Sequence, residues 1–206
     1  MIILHRQNGK DNDIDKLDYD GIELDVRNSE HGLLVNHNMF FAGQDLNVLV
    51  KLTDKVKSYD GAKIFNIKES GCEDVIIDSN IKGYFLDSQL PDIIRISKEK
   101  PEEKHRFILR TSKYETLNFD LLNLVKPDYV WVDYHEWDNF SLYDYDELIT
   151  DTEYIISESI SPAEMIIVSP ELYDLKYKNI ISKMKQMLNT LDIKYSVCTK
   201  FPEEWK

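Results

Sequence analysis

The sequence predicts an α/β fold, a trimmed (β/α)8 TIM barrel whose first and last crossover helices are reduced. Three observations predict it: eight short apolar runs recur along the 206 residues, segments with helical spacing separate several of them, and nearly every run ends on a polar residue. Strands that alternate with helices form parallel sheets, and eight such units close into a barrel. We expect residues 1–206 to form a single domain.

The eight candidate strands are rich in β-branched and aromatic residues, which is typical of buried strands. In chain order they are 2–5, 22–26, 64–68, 84–87, 107–110, 129–133, 165–169 and 195–199.

Three segments between these runs have the apolar spacing of a helix. They cover residues 46–59, 117–125 and about 171–191. A barrel of this class typically needs ~250 residues, so the chain is short. The shortage falls on the first crossover helix, which is confined to about 14–19, and on the segment after Thr199, which has room only for a turn. A homo-oligomer in which a second copy covers an exposed strand or groove is a further expectation.

The net charge of −13 argues against a nucleic-acid partner, because phosphate backbones are bound by basic surfaces. It also argues against docking on an anionic membrane surface. A small anionic substrate then requires a site that is locally positive. Arg6, Lys68, Arg110 and a divalent cation could supply that charge.

The compartment is predicted from the cysteines and from the start of the chain. Cys72 and Cys198 are the only cysteines and lack the spacing of metal ligands, which favours reduced thiols in the cytoplasm. A strand that begins at Ile2 leaves no room for a signal peptide. No apolar run reaches the ~18 residues of a transmembrane segment. We therefore expect a cytoplasmic protein.

Glu23 and Asp25 are two residues apart in the second candidate strand. Side chains of a strand alternate between its faces, so both carboxylates leave the same face. Two adjacent carboxylates repel each other, and a cation between them relieves the repulsion. Carboxylates in this arrangement suit Mg²⁺ or Ca²⁺. A structural ion pair with Arg27 or Lys68 is the alternative.

The polar residues at the strand ends predict where an active site forms. In a (β/α)8 barrel, these ends meet at one mouth, where catalytic residues gather. The alternative is that strand ends border loops and are polar for that reason. We expect the following side chains to line a substrate pocket there: Asp87, Arg110, Trp131, Asp133 and Glu171. Core packing is the alternative for Trp131.

His5 and His37 are the candidate catalytic residues. Histidine has an ordinary pKa of ~6.5, so it gives or takes a proton near neutrality. A lone histidine is more often structural, but these two accompany Arg6 and the carboxylate pair, which favours catalysis. The planar guanidinium of Arg6 suits phosphate oxygens.

This set resembles the opening of a known family. His5-Arg6, Glu23-x-Asp25 and His37 are similar to the first motifs of the glycerophosphodiester phosphodiesterases, which belong to the barrel superfamily of phospholipase-C-like phosphodiesterases. The resemblance covers nearly the whole chain. Later segments that agree are Asn66-Ile67-Lys68, Ser169-Pro170-Glu171-Leu172 and Cys198-Thr199-Lys200-Phe201-Pro202.

The resemblance implies a metal-assisted phosphoric diester hydrolase that acts on a glycerophosphodiester-like or sugar phosphodiester substrate. It implies that His5 and His37 act as acid and base and that Arg6 and Lys68 bind the phosphate. It also implies that one Mg²⁺ or Ca²⁺ is held by Glu23, Asp25 and Asn66.

The chain departs from the family at four points, and these leave two alternatives open. Asn66 replaces an acidic ligand, Gln7 replaces a glycine, Asn38 replaces an aspartate, and an acidic-Asn-Thr element is missing from residues 8–20. One alternative is a catalytically degenerate barrel that binds a phosphorylated ligand or acts as a subunit. The other is a metal-independent phosphodiester lyase that uses the two histidines and Lys68.

Overall fold

The computed structural model describes residues 1–9, 19–57, 59–134, 140–191 and 193–206, and these contain ten strands and six α-helices. The strands are β1 Ile2–Leu4, β2 Gly21–Arg27, β3 Leu34–Val35, β4 Val50–Lys51, β5 Ala62–Ile67, β6 Tyr84–Leu86, β7 Leu109–Thr111, β8 Tyr129–Val132, β9 Glu164–Val168 and β10 Tyr195–Thr199. The helices are α1 Leu52–Val56, α2 Cys72–Asp78, α3 Leu90–Glu99, α4 Phe119–Val125, α5 Leu142–Glu158 and α6 Ile181–Thr190.

Eight of these strands pair in parallel, in the order β6-β5-β2-β1-β10-β9-β8-β7. A parallel bridge between Phe85 of β6 and Phe107, just before β7, links the two ends of this order. The backbone N–H of Ile108 donates to the carbonyl of Phe85 there, at 2.8 Å. The remaining two strands, β3 and β4, extend the sheet from β2 by antiparallel pairing, so the sheet is mixed.

All eight segments predicted as strands contain or overlap one of these parallel strands. The helix predicted at 117–125 is α4, which begins after Asn118; the side-chain oxygen of Asn118 caps it by accepting from the backbone N–H of Leu121, at 2.9 Å. The segment after Thr199 forms a single short 3-10 helix, Pro202–Trp205. The predicted first crossover helix falls almost entirely on residues 10–18, outside the described part of the chain.

Two helix predictions were wrong in part. Residues 46–59 contain a 3-10 turn, then β4, then the short helix α1, because Val50 pairs with Val35 and draws the middle of the segment into the sheet. In the segment 171–191, the α-helix begins only at Ile181. Two 3-10 helices precede it, and the side chain of Asp174 interrupts the first turns by accepting from the backbone N–H of Lys176.

Strand β2 holds a central place in the sheet, with parallel neighbours β1 and β5 on its two sides and all seven residues buried. Its faces differ sharply. Ile22, Leu24 and Val26 occupy one face, and Glu23 and Asp25 occupy the other. Gly21 opens the strand at a close approach, since a Cβ there would lie 3.0 Å from the carbonyl oxygen of Ala62.

One apolar cluster joins the sheet to the helices. The helices contribute Ile96 of α3, Leu122 of α4, Ile149 of α5 and Met184 of α6, all fully buried. Burial of such side chains is the main favourable term in folding, at about 1.5–3 kcal/mol each. Among the described residues, no helix combines the length and the apolar character needed to cross a membrane.

Candidate active site

A cavity of about 320 Å³ lies at the C-terminal ends of the parallel strands. Ten of the twelve residues that the sequence predicts for the site line this one cavity: His5, Arg6, Glu23, His37, Asn66, Lys68, Asp87, Arg110, Trp131 and Asp133. Segments as distant as residues 5 and 133 therefore meet around a single volume.

Glu23 is an acid of the cavity that is buried while one of its carboxylate oxygens has no hydrogen-bond partner. Its side chain is 1% exposed, and its Oε2 accepts from the backbone N–H of Arg6 at 2.7 Å. The other oxygen, Oε1, has no hydrogen-bond partner. Burial, and next the neighbouring Asp25 carboxylate, raise the pKa of Glu23 to about 7, against the opposing effect of Arg6, Asn66 and Lys68. Glu23 is therefore partly protonated at neutral pH.

Asp25 lies behind the cavity lining and is completely buried. Its Oδ2 is 3.3 Å from Arg6 Nε, and its Oδ1 is 3.2 Å from Lys68 Nζ. Asn8 clamps the same residue twice: the side-chain amide donates to Oδ2 at 2.6 Å, and Asn8 Oδ1 accepts from the backbone N–H of Asp25 at 3.0 Å. Asp25 thus fixes two cations at the cavity wall.

His5 follows β1, and its backbone N–H donates to the carbonyl of Thr199 in the neighbouring strand, at 2.9 Å. Burial of the ring, followed by the charges of Arg6 and Lys200, lowers the pKa of His5 to about 3. Its Nδ1 is buried without a hydrogen-bond partner, and Nε2 lies 3.9 Å from Glu23 Oε2. His5 is therefore neutral at physiological pH.

His37 lies at the exposed side of the cavity. Its Nδ1 is 3.0 Å from the side-chain oxygen of Asn38. The His37 carbonyl accepts from Arg27 Nε and Nη2, at 3.3 and 3.0 Å, while Arg27 Nη1 pairs with Glu69 at 2.7 Å. Arg27 therefore positions His37, and it is Lys68 that pairs with Asp25 of β2.

The charge of the cavity lining differs from that of the whole chain. Arg6, Lys68, Arg110 and Lys200 face three carboxylates there, and Asp25 behind the lining makes the formal count four of each sign. Burial raises the pKa of Asp87, although Arg110 and Lys68 oppose this, and it raises that of Glu23. Fewer than four negative charges thus remain at neutral pH, so an anion can be bound here despite a net charge of −13.

Two backbone positions of the cavity have a conformation that L-residues rarely adopt. Arg6 has φ of 50° and Asp87 has φ of 60°. Such conformations cost about 1–3 kcal/mol and concentrate at functional sites. The hydrogen bond from Arg6 N to Glu23 and the ion pair between Asp87 and Arg110, at 2.9 Å, hold these residues in place.

Trp131 is 5% exposed and projects from β8 into the wall of the cavity. It is therefore packed in the core and also borders the cavity. Asp133 follows the same strand, and its backbone N–H donates to the carbonyl of Thr111 in β7, at 2.9 Å.

Glu171 lies outside the cavity lining, in contrast to its predicted place in the substrate pocket. Its carboxylate, 1% exposed, accepts from the Ser169 hydroxyl, from Thr199 Oγ1 at 2.6 Å and from the Lys200 backbone N–H at 2.9 Å. These contacts tie the end of β9 to the end of β10. The physical reason for the difference is that the carboxylate turns back toward the strand ends.

Three residues at the candidate site were not predicted from the sequence. Lys200 and Tyr173 line the cavity, and Asn8 holds Asp25. Lys200 could have been found, because it directly follows the eighth candidate strand. Asn8 and Tyr173 lie beyond their nearest strands, and no spacing rule connects them to the site.

Two buried oxygens, Glu23 Oε1 on β2 and Asn66 Oδ1 on β5, have no hydrogen-bond partner, whereas Asp25 Oδ1 lies 3.2 Å from Lys68 Nζ. Asp25 and Asn66 are directly paired across the two strands. Unpaired oxygens of this kind suit a hard divalent cation. Within the described part of the chain, no group of three or more histidine, cysteine or acidic residues is arranged to hold a metal, so a cation here depends on the neutral amide of Asn66.

Comparisons with protein-family models, with curated proteins and with solved structures found no match. The function proposed for this chain therefore depends on its own residues and their geometry.

Proposed function

We propose that the protein is a phosphoric diester hydrolase acting on a glycerophosphodiester-like or sugar phosphodiester substrate. One observation carries the proposal: a single cavity is lined by two histidines, by four cationic side chains and by Glu23, whose carboxyl group neighbours that of Asp25. Phosphoryl transfer needs positioned cations and proton carriers around one phosphorus atom. The resemblance of the opening motifs to glycerophosphodiester phosphodiesterases agrees with this.

The residues take complementary roles in the proposal. Arg6, Lys68 and Lys200 neutralise the non-bridging oxygens of the phosphate. His5, which burial keeps neutral, accepts the proton of the attacking hydroxyl or water. His37, at the exposed side, gives a proton to the departing alcohol.

The donor set that we propose for one Mg²⁺ or Ca²⁺ is Glu23, Asp25 and Asn66. The support is the unpaired oxygens of Glu23 and Asn66, since Asp25 Oδ1 is already paired with Lys68. A bound divalent cation stabilises negative charge that develops on phosphoryl oxygens. Asn66 contributes no charge, so we expect weaker binding than at a site with three carboxylates.

We further propose that the fold is the trimmed (β/α)8 barrel and that the protein is cytoplasmic. The order of eight parallel strands, with the Phe85–Phe107 bridge between its ends, supports the first proposal. The two free, buried thiols of Cys72 and Cys198 agree with a reducing compartment.

A metal-independent phosphodiester lyase is the second candidate. The observation that favours it is that Arg6 and Lys68 already neutralise Asp25, at 3.3 and 3.2 Å. In such a reaction, a hydroxyl of the substrate attacks the phosphorus, the alcohol leaves with a proton, and a cyclic phosphate is released.

The test is hydrolysis of a panel of glycerophosphodiesters by the wild type, His5→Ala and His37→Ala, with Mg²⁺ or Ca²⁺ and then with excess EDTA. Loss of a general acid or base lowers the rate by about 10²- to 10⁴-fold, and we expect this for both variants. The matched control is His31→Ala, because His31 is an exposed histidine outside the cavity that contacts Glu30.

Wild-type rates in both variants would reject the proposal. Cyclic phosphate as product, with full activity in EDTA, would identify the lyase instead. Calorimetric binding of glycerol 3-phosphate without turnover of any diester would identify the degenerate, ligand-binding alternative.

A further inference from the structure

A second cavity, of about 270 Å³, lies beside the candidate active site. It lies between the start of α3 and the start of α4, against β7. Its lining shares two residues with the first cavity, Asp87 and Arg110. The two cavities therefore border each other at the ion pair between Asp87 and Arg110.

The walls of the side cavity are mostly apolar. Six aliphatic side chains form them: Leu90, Ile93, Ile108, Leu109, Leu117 and Leu121. Four of these are buried, whereas Leu121 is half-buried and Leu90 is 52% exposed. A ligand that covers an exposed leucine removes apolar surface from water, and this favours binding by roughly 25 cal/mol per Å² of surface buried.

The charges at the opening exclude a second anion. Arg110 is the only cation of the described lining, and it already pairs with Asp87 and Glu115, both at 2.9 Å. One cation and two carboxylates leave no positive charge to bind another phosphate. The same pairing fixes the guanidinium at the junction of the two cavities.

We propose that the side cavity binds the apolar body of one of the two alcohols of the substrate, so the substrates are phosphodiesters of alkyl or aryl alcohols. The inference rests on the proposed function of the first cavity, where the phosphate lies. It adds the substrate class, which the catalytic residues do not specify.

The experiment compares kcat/KM for the glycerol phosphodiesters of methanol, butanol and hexanol. One buried methylene changes discrimination by about tenfold or more, so we expect the hexyl ester to exceed the methyl ester by at least about tenfold in the wild type. Leu90→Trp and Leu121→Trp fill the cavity and should bring this ratio toward one. The control is Leu124→Trp, on the same helix as Leu121 but exposed and outside the cavity, which should keep the wild-type ratio.

A binding measurement separates failure of this inference from failure of the hydrolase proposal. Methyl phosphate and hexyl phosphate are titrated calorimetrically into the wild type and the three variants, and thermal unfolding verifies that each variant is folded. A wild-type preference for hexyl phosphate that Leu90→Trp or Leu121→Trp removes supports the side cavity even if no diester is cleaved. Equal affinities in the wild type, or a preference that survives in both filled variants, would overturn it.

Discussion

Glu23 and Glu171 are both 1% exposed; Glu23 lines the cavity from β2, and Glu171 lies shortly after the end of β9. The two oxygens of Glu171 accept from Ser169, Thr199 and Lys200. Of the Glu23 oxygens, one accepts from the backbone of Arg6 and the other has no hydrogen-bond partner. Equal burial therefore accompanies very different hydrogen bonding.

The difference separates an acid that holds the fold together from one that is available for chemistry. A buried carboxylate with all its hydrogen bonds made is stable where it is. Burial, and next the neighbouring Asp25 carboxylate, disfavour the charged form of Glu23 and raise its pKa to about 7. Hydrogen bonding therefore distinguishes the two roles, while burial does not.

The largest expected effect is on stability when the hydrogen-bonded acid is removed. Glu171→Ala leaves buried donors of Ser169, Thr199 and Lys200 without an acceptor, so the free energy of unfolding should fall by about 3 kcal/mol. That corresponds to a drop in Tm of about 6–12 °C for a chain of this size. Thermal unfolding by circular dichroism measures it.

The matched control is Glu158→Ala at the exposed end of α5. We expect its free energy of unfolding to stay within about 0.5 kcal/mol of the wild type. A Glu171→Ala protein as stable as this control would mean that the strand ends do not depend on the Glu171 carboxylate.

The sequence predicts the strands well because their signal is local. The alternation of Ile22, Leu24 and Val26 with Glu23 and Asp25 fixes which side chains share a face. Helix α5 was missed, although it buries Tyr145, Ile149, Thr152 and Ile156 at spacings of four, three and four, because threonine and tyrosine interrupt a purely aliphatic stripe. The β3–β4 pairing depends on contacts that no local pattern encodes.

Much of the candidate site was predictable for a related reason. Residues at the ends of parallel strands meet at one edge, and of the twelve side chains predicted for the site the cavity collects ten. The direction of a side chain beyond a strand end was not predictable. Glu171 turns toward Thr199, and Arg27 turns toward His37, because of partners distant in the chain.

A smaller effect is the pH dependence of stability caused by Glu23. Its pKa is 4.5 in the unfolded chain and about 7 in the folded one, so the folded state binds more protons between these values. Stability from this group is therefore complete below pH 4.5 and is lost as the pH rises through 7. Glu23→Gln lacks that loss, so its Tm should exceed that of the wild type at pH 8.

At pH 5 the Tm difference between Glu23→Gln and the wild type should be much smaller than at pH 8, because the carboxyl of the folded wild type is then protonated. Both measurements use excess EDTA, so that no cation binds the carboxylate. His5 contributes the opposite slope between pH 6.5 and 3 in both proteins, and the difference between them removes it. A Tm difference that is the same at pH 5 and pH 8 would show that Glu23 does not titrate as described.

The smallest expected effect is on phosphate binding by Lys200. The backbone N–H of Lys200 donates to Glu171, and its side chain lines the same cavity as Glu23. The side chain is exposed, and exposed ion pairs contribute about 0.2–1 kcal/mol. Lys200→Ala should therefore weaken calorimetric binding of glycerol 3-phosphate by up to about fivefold, whereas Lys200→Arg should restore it. The control is Lys183→Ala, on the exposed face of α6 away from the cavity. If both alanine variants bind with equal affinity, Lys200 takes no part in phosphate binding, and Glu171 then supports only the strand ends.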